Sequence, residues 1–233
     1  MNLLIITGAS SGIGLAIAQH FARDGWRVVN ISRQPCSETA VINLACDLAE
    51  PDAVLALRAT LEIELTAATQ ICLVHNASVM QFHAIDHLLA ADLRRVLELN
   101  IVAANTLNQI VIPHLKAQSS VIYIGSTLAE KAVPGVASYV IAKHALVGMM
   151  RATCQDLAGR GIHTCMICPG VTDTRQVRDL IASNPNMLAA FTALSAFDRL
   201  IEPTEIAAAV AFAAGAPVLN GAVIHANLGQ RER

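Results

Sequence analysis

Aromatic side chains are scarce in this sequence: one Trp, two Tyr and five Phe among 233 residues. Any sizeable core therefore has to be packed from Val, Ile, Leu and Ala. Charge of one sign is missing too. Sixteen Lys and Arg stand against eighteen Asp and Glu with no basic run, so the footprint a polyanion needs is absent and nucleic acid is excluded as an expected partner. Charges or prolines interrupt every apolar stretch before the roughly 20 residues of a membrane span, so no membrane partner is expected. The opening stretch Leu3 to Ile6 is too short for the apolar region of a secretory signal and runs straight into a glycine turn, which makes the cytoplasm the expected location.

Paired cysteines and clustered metal ligands are also lacking. Cys36, Cys46, Cys72, Cys154, Cys165 and Cys168 are scattered. Cys165 and Cys168 have the CxxC spacing, but they lie in the run Ile162 to Cys168, which reads as a strand. Residues three apart in a strand point to opposite faces, and no second pair completes a zinc site. They are expected to be buried free thiols. His83 and His87 are spaced for one helix face without a third or fourth ligand, and are read as surface histidines, so no metal is expected.

What the chain does have is aliphatic material: 54% of it is hydrophobic. That is the supply a parallel sheet covered on both faces requires, and the length suits one α/β domain over 1–233. Strands are expected at Leu3–Thr7, Trp26–Ser32, Val41–Leu44, Ile71–His75, Ser120–Gly125, His163–Cys168 and Val223–Asn227. Helices are expected over Ile13–Arg23, from Pro51 to about Thr66, from about Asp92 to Leu115, over Ser138–Leu157 and over Thr204–Ala214. This alternation predicts a Rossmann-like, doubly wound seven-stranded parallel sheet flanked by helices. Only residues 174–199 break the rhythm, and they are the expected mobile cover for a site.

Thr7-Gly8-Ala9-Ser10-Ser11-Gly12-Ile13-Gly14 follows the first strand and opens the first helix. Gly8 permits a tight turn, Gly12 lets the backbone approach a phosphate, and Gly14 allows close helix packing. The helix N-terminus then offers free N–H groups to a pyrophosphate. The alternative is a purely structural turn. The second strand ends on Ser32-Arg33, where a carboxylate would take a ribose 2′-hydroxyl and a cation would accommodate a 2′-phosphate. With Arg33 there, NADP is favoured over NAD; a solvated surface arginine is the bland alternative. Tyr139 and Lys143 stand at i and i+4 on one helix face, and a cation near a phenol of pKa about 10 favours the phenolate. Ser126 lies thirteen residues before Tyr139, at the end of an apolar strand, where doubly wound sheets bind ligands. Asn100 is a polar amide inside an otherwise apolar helix and needs a satisfied role, structural or catalytic.

The glycine spacing is TGxxxGxG, and together with Ser126, Tyr139 and Lys143 it resembles the classical short-chain dehydrogenase/reductase (SDR) family, from Thr7 to Gly229. Asp47-Leu48 resembles the family's adenine-contacting pair. His75-Asn76-Ala77-Ser78 resembles its NNAG segment, with His75 and Ser78 as departures. Pro169-Gly170-Val171-Thr172-Asp173-Thr174 resembles its PG motif, in which the backbone at Thr172 meets the carboxamide and the Thr174 hydroxyl a cofactor phosphate. The resemblance implies that Tyr139 exchanges the proton, Ser126 holds the substrate oxygen, Lys143 lowers the tyrosine pKa and contacts the nicotinamide ribose, and Asn100 supports a proton relay.

With the NADP reading of Arg33, it further implies an NADP-dependent carbonyl reductase or alcohol dehydrogenase, and it implies assembly as a homodimer or homotetramer. The run Leu107 to Val111 and the helix face of Ala145, Gly148 and Met149 would meet either a neighbouring subunit or the sheet. The substrate is expected to be a ketone, aldehyde or 3-oxoacyl thioester, with a polyol or steroid-like compound left open. It would be met by Phe82, Leu180, Ile181, Met187, Phe191 and Phe197, with Arg175 and Arg178 facing an anionic group or solvent. The alternative from another class is a non-catalytic dinucleotide sensor or scaffold of the same fold.

Overall fold

The computed structural model describes residues 1–231. The strands are β1 (Asn2–Thr7), β2 (Arg27–Ser32), β3 (Val41–Ala45), β4 (Gln70–His75), β5 (Ser120–Ile124), β6 (His163–Pro169) and β7 (Ala222–Ala226). The helices are α1 (Gly12–Arg23), α2 (Arg58–Ala67), α3 (Ala90–Leu97), α4 (Ala103–Val111), α5 (Ala137–Asp156), α6 (Arg175–Ser183), α7 (Asn186–Thr192) and α8 (Pro203–Ala214). All strand pairs are parallel, in the order β3-β2-β1-β4-β5-β6-β7. This is the expected doubly wound Rossmann-like sheet. The winding reverses between β1 and β4, and a crevice opens beyond the carboxyl ends of those strands.

Strand alternation divides the core in two. Leu3, Ile5, Ile71, Leu73, Val121 and Tyr123 face the layer holding α2, α4 and α5. Leu4, Ile6, Cys72, Val74, Ile122 and Ile124 face α1 and α8. Cys168 belongs to the first layer and Cys165 to the second, the opposite-face placement that period two demands. All six cysteines are free thiols. Leu107, Ile110 and Val111 are buried against the sheet, whereas Ala145 and Gly148 are exposed.

Three expectations need correction. Pro51 does not open a helix: Asp52 takes a left-handed φ of 61°, a turn and a short 3-10 segment Leu55–Leu57 follow, and α2 begins at Arg58. The long helix from Asp92 is divided, with a π turn over Glu98–Val102 between α3 and α4. His83 and His87 do not share a helix face, because 78–87 is irregular; His83 bridges Val136, and exposed His87 lies beside Asp86. Among the described residues no group of three or more metal-ligating side chains occurs, and no helix is long and apolar enough to cross a membrane. The 174–199 segment folds into α6 and α7.

Candidate active site

A cleft of about 930 Å³ lies over the crevice between β1 and β4. All the residues expected to bind a cofactor line it, from the glycine turn through Ser32, Arg33, Asp47 and Leu48 to Thr172 and Thr174, and so do Ser126, Tyr139 and Lys143. Asn100 does not line it. That residue stands behind the wall, beside a much smaller cavity shared with His75.

The glycine turn is built as a close-packed knot. Gly8 and Gly12 take φ of 72° and 56°. A Cβ on Gly14 would lie 2.3 Å from the Gly8 carbonyl oxygen and 2.5 Å from Asn76 Nδ2, so only glycine lets α1 start this close to the strand ends. Ser11, the N-cap of α1, makes no side-chain capping bond, which leaves first-turn N–H groups available to an anion. Asn76 braces the turn, with Nδ2 donating to the Thr7 and Gly8 carbonyls at 2.9 and 3.0 Å. Thr7 Oγ1 accepts from the backbone N–H groups of Asn76 and Ala77.

Asn30, which the sequence pattern did not single out, supports the site from behind the glycine turn. It is 1% exposed; its Oδ1 accepts from Ala9 N at 2.9 Å, and its Nδ2 donates to Ser32 Oγ and Asn43 Oδ1. It thus joins the glycine turn to the ends of β2 and β3, and an amide within the apolar run Val28–Ile31 was its available signal. Arg33 follows at the cleft edge, with no carboxylate paired to it among the described residues. Asp47 Oδ1 accepts from Ala49 N. Thr174 caps α6, its Oγ1 accepting from Val177 N, and its methyl would lie 3.1 Å from a Cβ on Gly12.

Tyr139 and Lys143 project from the first turns of α5 beside the end of β5. Lys143 is 2% exposed, its Nζ donates to the Ile124 carbonyl at 2.8 Å, and it lies 5.5 Å from the Tyr139 ring centre. Burial draws its ammonium down to about 8. Burial pushes the Tyr139 phenol upward; hydrogen bonding from Ser126 and then Ser78 opposes this, while nearby Cys168 adds to it. Cys168 is itself raised to about 11 by burial. Ser126 Oγ accepts from Leu128 N at 3.1 Å, so its own proton stays free for another acceptor.

Asn100 sits in the π turn, 4% exposed, with Nδ2 donating to the Val96 carbonyl at 2.8 Å and Oδ1 accepting from Ser78 Oγ at 2.7 Å. The other departure, His75, is buried under the cleft, stacked on Tyr123 and bonded to Asn108 at 2.8 Å. Burial lowers its pKa to about 4. On the outer side Phe82, Leu180, Met187 and Phe191 line the cleft as expected, together with Met80 and Val136. Ile181 and Phe197 do not line it, and Phe197 is 66% exposed. Arg175 reaches the rim, while Arg178 is held by Asp173 at 2.6 Å.

Comparison with known proteins gives the same picture. A family profile described as enoyl-(acyl carrier protein) reductase matches residues 8–230. The 3-oxoacyl-[acyl-carrier-protein] reductase FabG of Vibrio cholerae is 27% identical over 240 residues, covering 98% of this chain and 96% of its own. The aldohexose dehydrogenase of Thermoplasma acidophilum superimposes with a TM-score of 0.90 at 26% identity, over 98% of this chain and 93% of that one. A 3-oxoacyl (acyl-carrier-protein) reductase of Agrobacterium tumefaciens, solved with NADP bound, superimposes with a TM-score of 0.87 at 26% identity, over 98% and 93% of the two chains. With the glycine turn and the serine, tyrosine and lysine gathered in one cleft, the chain belongs to the classical short-chain dehydrogenase/reductase family.

Proposed function

We propose that this chain is an NADP-dependent oxidoreductase that interconverts a carbonyl and a secondary alcohol, with ketones, aldehydes and 3-oxoacyl thioesters as the substrate range. The observation that carries this reading is the convergence of Ser126, Tyr139 and Lys143 at the end of β5, in the same cleft as the glycine turn and Arg33. The cofactor fits the cradle that glycine leaves at positions 8, 12 and 14, with the free N-terminus of α1 for its phosphates. Arg33 would meet the 2′-phosphate, Asp47 and Leu48 the adenine, Lys143 the nicotinamide ribose, the backbone at Thr172 the carboxamide, and the Thr174 hydroxyl a phosphate. When bound, the nicotinamide supplies or accepts the hydride.

Tyr139 gives its proton to the carbonyl oxygen in reduction and removes it from the alcohol in oxidation. Ser126 donates its uncommitted proton to the same oxygen and steadies the charge that develops there. The apolar outer wall of Met80, Phe82, Leu180, Met187 and Phe191 favours an uncharged organic carbonyl. Residues 174–199, carried by α6 and α7 along that wall, serve as its cover within a single catalytic domain, 1–233. Six free thiols suit a reducing compartment, the cytoplasm. The exposed α5 face of Ala145 and Gly148 offers a surface for a homodimer or homotetramer.

The test is NADPH consumption over a panel of ketones, aldehydes and 3-oxoacyl thioesters, run in parallel with NADH and with the Tyr139→Phe protein. Turnover is expected with NADPH and is expected to fall by about 10²–10⁴ in Tyr139→Phe, with cofactor affinity kept. Arg33→Ala is expected to weaken NADPH binding about 10–100-fold, the range of a lost charge-assisted contact, and to leave NADH binding unchanged. Full turnover by Tyr139→Phe refutes the mechanism. Cofactor binding without turnover on any substrate would favour the sensor or scaffold alternative.

A further inference from the structure

Arg33 is exposed at the cleft edge and makes no hydrogen bond or ion pair among the described residues. Its guanidinium is therefore placed by the backbone beneath it. That backbone, residues 33–36, is irregular and includes Pro35, which has no N–H to donate. From Gln34 to Cys36 it makes no backbone–backbone hydrogen bond among the described residues. Two side-chain bonds hold it instead. Ser32 Oγ donates to the Gln34 carbonyl, and Asn43 Oδ1 accepts from Cys36 N at 2.8 Å.

Both bonds lead back to one buried amide. Asn30 Nδ2 donates to Ser32 Oγ and to Asn43 Oδ1, each at 2.9 Å, while Asn30 Oδ1 accepts from Ala9 N in the glycine turn. The amide orientations follow from the two backbone N–H groups, which can only donate. Ala9 N fixes the Asn30 oxygen and Cys36 N fixes the Asn43 oxygen, and both protons of Asn30 Nδ2 are then used. Ser32 receives one of them and spends its own proton on Gln34, inside the loop. The Arg33 guanidinium remains the uncommitted donor at the end of β2. Neither Asn30 nor Asn43 lines the cleft.

We propose that Asn30 and Asn43 are positioning residues for Arg33. They tie the Arg33 loop to the glycine turn, so that the place for a 2′-phosphate keeps a set distance from the place for the diphosphate. Discrimination between NADPH and NADH then depends on an amide pair behind the cleft wall as well as on the charge of Arg33. A charge-assisted contact is directional, and releasing the loop loses that direction while leaving the charge. The inference rests on the reading of Arg33 as the 2′-phosphate ligand.

The experiment is a fluorescence titration of the full chain with NADPH and with NADH, for the natural protein, Asn43→Ala, Arg33→Ala and the double variant. Asn43 is exposed on the edge strand β3, so truncating it opens no cavity in the core. Asn43→Ala is expected to weaken NADPH binding about 3–10-fold, the range of one or two lost hydrogen bonds, and to leave NADH binding unchanged. In the Arg33→Ala background the same truncation is expected to cost NADPH nothing further, because the group it positions is gone. Asn30→Ala, which also frees Ala9 N, is expected to weaken both cofactors and NADPH the more. Equal weakening of the two cofactors by either asparagine variant overturns the proposal, as do losses that simply add in the double variant. An unaffected Asn43→Ala beside a weakened Arg33→Ala refutes the proposal alone. NADPH binding unchanged in Arg33→Ala refutes the reading of Arg33, and the proposal falls with it.

Discussion

Replacing Lys143 with methionine is expected to stabilise the cofactor-free protein near neutral pH while ending its turnover. The side chain is 2% exposed and its Nζ donates to the Ile124 carbonyl. Burial is the main cause that draws its pKa from 10.5 down to about 8, with the neighbouring Cys168 pulling weakly the other way. A displacement of that size corresponds to a preference of about 3 kcal/mol for the neutral amine in the folded chain. At pH 7 the lysine is charged in both states, so the native state carries the whole penalty. Between about 8 and 10.5 the unfolded chain binds more protons than the folded one, and stability therefore rises with pH through that window.

Methionine has similar length and no charge, but it leaves the Ile124 carbonyl without its donor, which costs about 1–3 kcal/mol. The variant should then be more stable than the natural protein by about 1 kcal/mol at pH 7, and the order should reverse by pH 10, the difference having moved by about 2–3 kcal/mol. Urea denaturation of both proteins at the two pH values, without cofactor, measures this directly. Ionisations common to both chains cancel in the comparison. A stability difference that stays constant between pH 7 and pH 10 would refute the claim that Lys143 is held charged against its burial.

Two further outcomes are expected. Gly14→Ala puts a methyl 2.3 Å from the Gly8 carbonyl oxygen and should lower stability by about 1–3 kcal/mol while abolishing cofactor binding; urea denaturation and a fluorescence titration with NADPH check both, and unchanged affinity would remove the turn from the site. His75 is buried with its pKa lowered to about 4, so the unfolded chain takes up a proton before the folded one, and stability falls as pH drops from about 6.5 towards 4. The total loss is about 3 kcal/mol. His75→Asn should lose that part of the acid sensitivity, and an identical pH–stability curve would sink the assignment.

Much of the candidate site was legible because its residues are brought together locally in the chain. The glycine turn needs its spacing within eight residues, Tyr139 and Lys143 meet because a helix turn brings i and i+4 together, and Arg33 is read from the strand it ends. What escaped depends on partners far away in sequence. Asn30 matters because β1 and β3 bring Ala9 and Asn43 to it, and a polar residue in an apolar strand does not name its partners. The π turn at Asn100 escaped because a single wide turn barely disturbs helical periodicity over the surrounding residues. Pro51 carried the signal of a helix start, but the left-handed turn at Asp52 overrode it.

The two departures, His75 at the end of β4 and Ser78 three residues on, have different surroundings, the first in the core and the second at the cleft surface. Asn108 Oδ1 can only accept, so His75 Nε2 carries the proton between them. Asn108 Nδ2 donates to the Tyr123 oxygen, which leaves Tyr123 to donate to Thr153 Oγ1, and Thr153 donates to the Met149 carbonyl. Every donor direction in this buried chain is thereby set, from β4 through α4 and β5 to α5, the helix that carries Tyr139 and Lys143. A histidine of one fixed tautomer at position 75 fits such a chain because its ring reaches Asn108 while stacking on Tyr123. Its Nδ1, left without a partner among the described residues, faces away from that chain, so protonating it would place a charge in the core without changing the direction of any bond above it. His75 therefore acts on the stability of the layer beneath α5, the helix that carries Tyr139 and Lys143.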